Sequence, residues 1–201
     1  MKNHKWGTQS FTSEPIYVVL FVSRNKDNRQ LDWFKERRMS FITHHQFDDE
    51  KLIQKFDHFV EDGIPGELSR MYCSVNARNG VKIYKQLMHF LFDNPDFNLC
   101  DLAPKLAGIA AMKECAAEKK FMFDFDCGDP EKLMEFMRDI SQYSGEEFND
   151  IVDYCHTTPH GHAVVTKHGF DTRKLLEKWK DIVELKRDDM LCVCWRAKYV
   201  D

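Results

Sequence analysis

Phe121-Met122-Phe123-Asp124-Phe125-Asp126 combines four apolar residues with two aspartates spaced two positions apart. In a β-strand, residues i and i+2 point to the same face of the sheet. Asp124 and Asp126 therefore project side by side together with Met122, and the three phenylalanines pack on the other face. The stretch predicts a strand with one apolar face and one face that bears two carboxylates.

The aspartate pair predicts a site for a divalent cation. Two neighbouring carboxylates at the end of an apolar strand repel each other and are costly to bury. A divalent cation makes such a pair tolerable, and oxygen ligands suit Mg²⁺ or Mn²⁺. The alternative is a strand end whose aspartates are solvated or cap the next helix.

Composition indicates one folded domain. The chain has 201 residues, of which 43% are hydrophobic, and its formal net charge is −4. This charge argues against a protein that coats nucleic acid non-specifically, but a local basic groove remains compatible with it. We expect a flexible N-terminus at residues 1–14 and a single α/β domain at residues 15–201.

The sequence shows no signal for secretion or membrane insertion. Residues 1–14 lack the apolar core of a signal peptide, and no apolar run reaches transmembrane length. The seven cysteines are odd in number and scattered, which favours reduced thiols. We therefore expect a cytoplasmic protein without a membrane partner.

The order of elements predicts an α/β (α+β) fold with a mixed or mainly antiparallel sheet. Residues 119–125 form its central strand, and Asp129-Pro130 begins the following helix. Residues 31–38 suggest a short helix. The link Lys186-Arg187-Asp188-Asp189 is predicted to be a hairpin turn between the last two strands, and either of its aspartates could supply a third carboxylate near the pair.

A second concentration of chemistry is the turn His156-Thr157-Thr158-Pro159-His160-Gly161-His162. Three histidines beside Cys155 suggest zinc, although the spacing matches no common finger. An exposed polar turn is the plain alternative. The third interpretation is a nucleotide site, in which Gly161 permits a close approach of the backbone to a phosphate and a histidine donates a hydrogen bond.

Two arginines surround a predicted strand at residues 70–75. Buried arginine is rare unless it is paired, and Arg70, Asn76 and Arg78 share a parity on an ideal strand. Such a row could contact phosphates. The alternative is a salt bridge to Asp62 or Glu67.

The order of these motifs over residues 119–195 resembles the archaeo-eukaryotic primase (primase-polymerase) superfamily. The resemblance implies an RRM-like sheet with helices on one side, a metal pair at Asp124 and Asp126, and a late third ligand at Asp188 or Asp189. It also implies nucleotide contacts from Thr158, Pro159 and Gly161. The family histidine sits near the positions of Ala163 and Val164 here, so His160 or His162 would have to replace it. The N-terminal half resembles tailed-phage proteins only in general character.

Three functions follow from the sequence. The first is a nucleotidyltransferase or primase-like enzyme that uses Mg²⁺ or Mn²⁺ and acts on a nucleoside triphosphate or nucleic acid, with Arg70, Arg78, Thr158, His160, Gly161 and His162 as nucleotide ligands. The second is a non-catalytic viral protein that binds nucleic acid or a host protein in the host cytoplasm. The third is a haloacid-dehalogenase-type phosphatase, because Phe-Asp-Phe-Asp also resembles that family's first motif, although Gly128 replaces the usual threonine or valine.

Overall fold

The computed structural model describes residues 14–45 and 47–199. Eight strands and six α-helices lie in this part of the chain, and the expected flexible N-terminus falls almost entirely outside it. In chain order, they are β1 (Tyr17–Ser23), β2 (Arg37–Thr43), α1 (Glu50–Glu61), β3 (Leu68–Ser74), α2 (Gly80–Asp93), α3 (Leu102–Ala110), β4 (Phe121–Phe125), α4 (Pro130–Ser144), α5 (Phe148–Ile151), β5 (Val152–Thr158), β6 (Gly161–Thr166), α6 (Arg173–Lys178), β7 (Val183–Lys186) and β8 (Met190–Ala197). The predicted α+β class with antiparallel strands is confirmed.

The strands form two four-stranded antiparallel sheets. The first has the order β2-β1-β3-β8 and the second the order β5-β6-β4-β7. In the second sheet, β6 lies between β4 and β5, and β4 lies between β6 and β7. Apart from the short α5 that follows α4, its chain order is strand–helix–strand–strand–helix–strand, the split βαβ arrangement of an RRM-like sheet. The strand with the aspartate pair lies inside this sheet, as the sequence predicts.

Local chemistry fixes the helix that follows β4. The side chain of Asp129 accepts a hydrogen bond from the backbone N–H of Glu131 at 2.9 Å, and Pro130 occupies the first turn. At the other end, Gly145 adopts a left-handed conformation with φ of 75°, which glycine reaches without strain. The cap, the proline and the glycine give α4 the boundaries that Asp-Pro predicts.

The two faces of β4 enter different cores. Phe123 and Phe125 pack against Phe136 of α4 and against Trp179, which follows α6. Helices therefore cover this face of the second sheet. Met122 on the other face joins the core that contains α1 and much of the first sheet. The two sheets consequently share one apolar core, and the aspartate face of β4 turns toward the first sheet.

Two local predictions are wrong. Residues 31–38 do not form a helix, because Arg37 and Arg38 belong to β2 and pair with Ser23 and Val22 of β1. Residues 186–189 do not form a hairpin turn, because β7 pairs with β4 in the second sheet and β8 pairs with β3 in the first. The link therefore carries the chain from one sheet to the other.

No helix within residues 14–45 and 47–199 has the length and apolar character needed to cross a membrane.

Candidate functional site

A cavity of about 360 Å³ lies between the two sheets and brings together residues from distant parts of the chain. The second sheet contributes Asp124, Asp126 and the turn 158–160. The first sheet contributes basic side chains, which include Arg70. An adjoining cavity of about 490 Å³ shares Asp124 with the first. The polar residues around the two cavities are Arg24, Lys26, Glu36, Arg38, Arg70, Tyr72, Asp124, Asp126, Thr158, His160, Lys186 and Asp189.

The aspartate pair lies at the end of β4 as predicted. Asp124 is half-buried and faces Glu184 of β7 across the ladder, whereas Asp126 is exposed just beyond the strand. Burial, and then the negative charge of Asp126, raise the pKa of the Asp124 carboxyl above its ordinary value. The pair thus carries the electrostatic repulsion that the sequence suggests.

Lys186 is the cation that partly offsets this repulsion. Its Nζ lies 3.0 Å from Glu184 Oε2 and 3.9 Å from Asp189 Oδ2. The hydrogen bond that Lys186 donates to Glu184, followed by the charges of Glu184, Asp189 and Asp124, raises the pKa of Lys186 despite its partial burial. The second sheet therefore places an ammonium group among three carboxylates beside the cavity.

The turn between β5 and β6 reaches the cavity because Gly161 packs against the end of β4. A Cβ at position 161 would lie 2.1 Å from the backbone O of Phe125 and 2.8 Å from the N of Cys127. Only glycine permits this approach. As a result Thr158, Pro159 and His160 line the same cavity as the aspartate pair.

His162 lies on the other side of the sheet. It pairs with Phe125 of β4, and residues directly opposite each other on adjacent strands share a face. Phe125 faces the helical core, whereas Asp124 faces the cavity beside Ala163. Of the two histidines proposed as nucleotide ligands, the structure brings His160 to the cavity and turns His162 away.

Arg70 is buried at the cavity wall and is partly paired. Its Nη2 donates to Asp27 Oδ1 at 2.7 Å, and Arg24 Nε donates to Asp27 Oδ2 at 2.8 Å. Although burial opposes it, hydrogen bonds from Arg24 and Arg70 hold the pKa of Asp27 below its ordinary value. The Nε of Arg70 is buried and has no hydrogen-bond partner. The predicted alternative, a salt bridge from Arg70 to Glu67, does not form, since Glu67 binds Arg37.

Arg78 and Asp188 form a separate, structural pair. Arg78 Nη1 donates to Asp188 Oδ2 at 2.9 Å, and the side chains are 2% and 10% exposed. Asn76 Nδ2 donates to Asp188 Oδ1 at 3.1 Å, while Asn76 Oδ1 accepts from the backbone N of Lys120 at 2.8 Å. These contacts occupy both oxygens of Asp188. Arg78 and Asp188 therefore anchor the link between the sheets, and neither lines the two cavities.

Asp189 is the late aspartate that lies near the pair. It lines the adjoining cavity with Asp124, and its charge contributes to the raised pKa of Asp124. Its Oδ1 accepts a hydrogen bond from the backbone N–H of Met190 at 2.7 Å. Between the two aspartates that the sequence offers as a third carboxylate, the geometry favours Asp189.

Asp124 and Asp126 are the oxygen donors at the cavity that could hold Mg²⁺ or Mn²⁺ together with a bound ligand. Among the described residues, no group of three or more His, Cys, Asp or Glu side chains is arranged to hold a metal ion. The histidine turn at residues 156–162 therefore offers no such set of ligands for zinc. Magnesium, in contrast, is commonly bound by one or two carboxylates together with substrate phosphates. Asp124 and Asp126 supply that number of carboxylates.

Sequence reasoning predicted Arg70 but missed the other cations of the cavity wall. Arg24 and Lys26 follow β1 directly, and Lys186 ends β7, but each resembles an ordinary solvated cation when its strand is considered alone. The available signal was the position of each cation at a strand end. It became informative only after the pairing of the two sheets was known.

Comparisons with known proteins find no match to this chain. No family model, no curated protein and no solved structure matches it.

Proposed function

We propose that this protein is a primase-like nucleotidyltransferase that depends on a divalent metal and uses the cavity between its sheets. One observation carries the proposal. The cavity unites the aspartate pair of β4, the turn 158–160 and the cations Arg24, Lys26 and Arg70. Carboxylates for a metal beside donors for phosphates are the combination that phosphoryl transfer requires.

The residues take distinct roles in this proposal. Asp124 and Asp126 hold the cation, which when bound neutralises charge on the transferred phosphate. Arg70 lines the cavity and directs its positive charge toward a phosphate there, and its pairing with Asp27 fixes the orientation of the guanidinium. Thr158 and His160 add donors from the opposite side. The reaction class is in-line transfer, in which an acceptor hydroxyl replaces pyrophosphate on the α-phosphorus of a nucleoside triphosphate.

Nucleotide incorporation tests the proposal. We expect the protein to extend or initiate a strand on single-stranded templates with labelled ribo- or deoxyribonucleoside triphosphates and Mn²⁺ or Mg²⁺. The D124N/D126N variant should lose this activity. The matched control D129N/D150N makes the same change in charge at exposed positions away from the cavity, and asparagine caps α4 about as well as aspartate. Activity that survives D124N/D126N would disprove the catalytic assignment.

The position of Lys186 favours a second candidate, a non-catalytic member that binds nucleic acid. An ammonium group 3.0 Å from Glu184 and 3.9 Å from Asp189 already neutralises part of the acidic cluster without a metal. Such a protein would bind nucleotides or nucleic acid without turnover. Its signature is binding that is insensitive to chelators, together with the absence of incorporation by the wild-type chain.

A further inference from the structure

The loop between β1 and β2 presents one aromatic side chain in an unusual way. Trp33 is 95% exposed, and its backbone has φ of 63°. Among the described residues it is the only one other than glycine with a positive φ. A left-handed backbone is a genuine outlier for a bulky residue, and such strain concentrates at functional sites. Trp33 makes no aromatic or cation–π contact within the described part of the chain.

Hydrogen bonds and an ion pair anchor the base of the loop. Asn28 is 1% exposed, and its Nδ2 donates to Ser23 Oγ at 3.1 Å and to Leu68 O at 3.0 Å. Its Oδ1 accepts from the backbone N of Leu68 at 2.6 Å. Asp27 is fixed in addition by Arg70 at 2.7 Å. These bonds fasten the first half of the loop to β3, so that Trp33 projects from an anchored base.

The charges around Trp33 select the kind of partner. The exposed cations of the loop and the start of β2 are Lys26, Arg29, Lys35 and Arg38, and none of them forms an ion pair with a described residue. The exposed carboxylates there are Asp32 and Glu36. An unpaired cationic surface in a chain of net charge −4 favours a polyanion. A flat aromatic ring among unpaired cations is the combination that binds single-stranded nucleic acid, since bases stack on the ring and phosphates contact the cations.

The loop also forms part of the wall of the candidate site. Arg24 and Lys26 line one cavity, and Arg24 and Glu36 line the adjoining one. Trp33 lies between these positions in the chain. We infer that the β1–β2 loop binds a single strand of DNA or RNA, with a base stacked on Trp33 and the strand directed toward the aspartate pair. The direction of the strand rests on the proposed function, whereas stacking on Trp33 requires no metal and no catalysis.

Fluorescence anisotropy of a labelled oligothymidylate at low salt with EDTA tests the inference. Loss of one stacked base costs about tenfold in affinity, so we expect W33A to bind roughly tenfold more weakly and W33F to retain most of the affinity. The control F92A removes another aromatic residue that is 87% exposed, on α2, and should bind like wild type. Wild-type affinity in W33A, or equal binding of duplex and single strand, would overturn the inference.

A second variant separates stacking from stability. W33G removes the ring and also relieves the left-handed backbone, so its melting temperature should be at least that of wild type while its affinity falls as in W33A. A protein in which Trp33 serves only the fold would show the opposite result. Replacing Lys26, Arg29 and Lys35 by glutamine should flatten the salt dependence of binding.

The D124N/D126N variant separates this inference from the proposed function. Its loop is intact, so adding W33A to D124N/D126N should weaken oligonucleotide binding in EDTA by the same roughly tenfold factor as W33A alone, whatever the loss of two carboxylates does to the absolute affinity. If no incorporation is found but Trp33-dependent binding persists, the proposed function fails and the loop assignment stands. If incorporation is found and W33A binds normally, the loop assignment fails.

Discussion

Ionisation of Asp124 should lower the stability of the native state. Its pKa is raised by burial and by Asp126, so ionised Asp124 destabilises the native state at neutral pH. Asp124→Asn should therefore raise the melting temperature by a few degrees at neutral pH. For a carboxyl with a raised native pKa, the penalty exists only where the group is ionised. The gain should consequently shrink as the pH falls through the native pKa and vanish below the ordinary value of 3.8.

Calorimetric scans at neutral and acidic pH measure this difference. Asp150→Asn, at an exposed position, serves as the control and should show no gain confined to neutral pH. A melting temperature of Asp124→Asn below that of wild type at neutral pH would contradict the electrostatic account of the pair.

The two histidines of the turn give a second comparison at the residue scale. Because His160 lines the cavity and His162 pairs with Phe125 on the helical face, only His160 is placed to contact a phosphate. His160→Ala should weaken binding of a nucleoside triphosphate by roughly tenfold to a hundredfold, in line with the loss of one hydrogen bond to a charged group. His162→Ala should leave it unchanged. Isothermal titration with both variants decides, and an effect confined to His162 would show that the assignment of faces is incorrect.

Among the elements, the β5–β6 turn depends on Gly161. Gly161→Ala would place a Cβ 2.1 Å from a backbone oxygen, so the turn must move away from β4. We expect a loss of unfolding free energy of about 1–3 kcal/mol, as is usual for overpacking, together with weaker nucleotide binding because Thr158 and His160 move with the turn. Gly128→Ala is the control, since nothing lies within 4 Å of a Cβ there. Urea denaturation of the two variants gives the comparison, and equal stabilities would refute it.

The two aspartates in the link between the sheets have different roles. Asp188 is bound by buried Arg78, and removal of one partner of a buried ion pair leaves an uncompensated charge. Asp188→Ala should therefore lower the free energy of unfolding by about 3–5 kcal/mol. Asp189→Ala, whose carboxylate is 48% exposed, should cost much less stability but reduce the thermal response to Mn²⁺. The reverse ranking in urea would contradict the structural role of Asp188, and an unchanged response to Mn²⁺ in Asp189→Ala would remove Asp189 from the site.

The elements that the sequence predicts correctly are those with strong local signals. The apolar strand at 121–125 and the Asp129-Pro130 helix start are encoded within a few neighbouring residues. The failures concern pairing. Residues 31–38 and the link 186–189 depend on which strand each segment joins, and that choice is made by contacts far away in the chain. The aspartate pair and Arg70 could be predicted from local motifs, whereas Arg24 and Lys26 became part of the site only when β1 was placed opposite β4.

At the scale of the whole molecule, the shared core predicts one cooperative unit. Phe21 and Met71 of the first sheet pack in the same buried cluster as Met122 and Val165 of the second. A ligand in the cavity contacts both sheets, so it should stabilise the entire chain. At a concentration about a hundredfold above its dissociation constant, Mn²⁺ with a nucleoside triphosphate should raise the melting temperature by roughly 5–10 °C in a single transition, since it binds only the native state.

Differential scanning calorimetry of wild type, D124N/D126N and D129N/D150N, each with and without Mn²⁺ and nucleotide, tests this prediction. The first variant should lose the response because it loses the carboxylates that hold the cation, and it should be at least as stable as wild type without ligand because the repulsion is gone. The second should respond like wild type. Two separate transitions, of which only one moves, would mean that the sheets unfold independently. Equal responses in wild type and D124N/D126N would remove the metal from the cavity and leave nucleic-acid binding without catalysis as the better account.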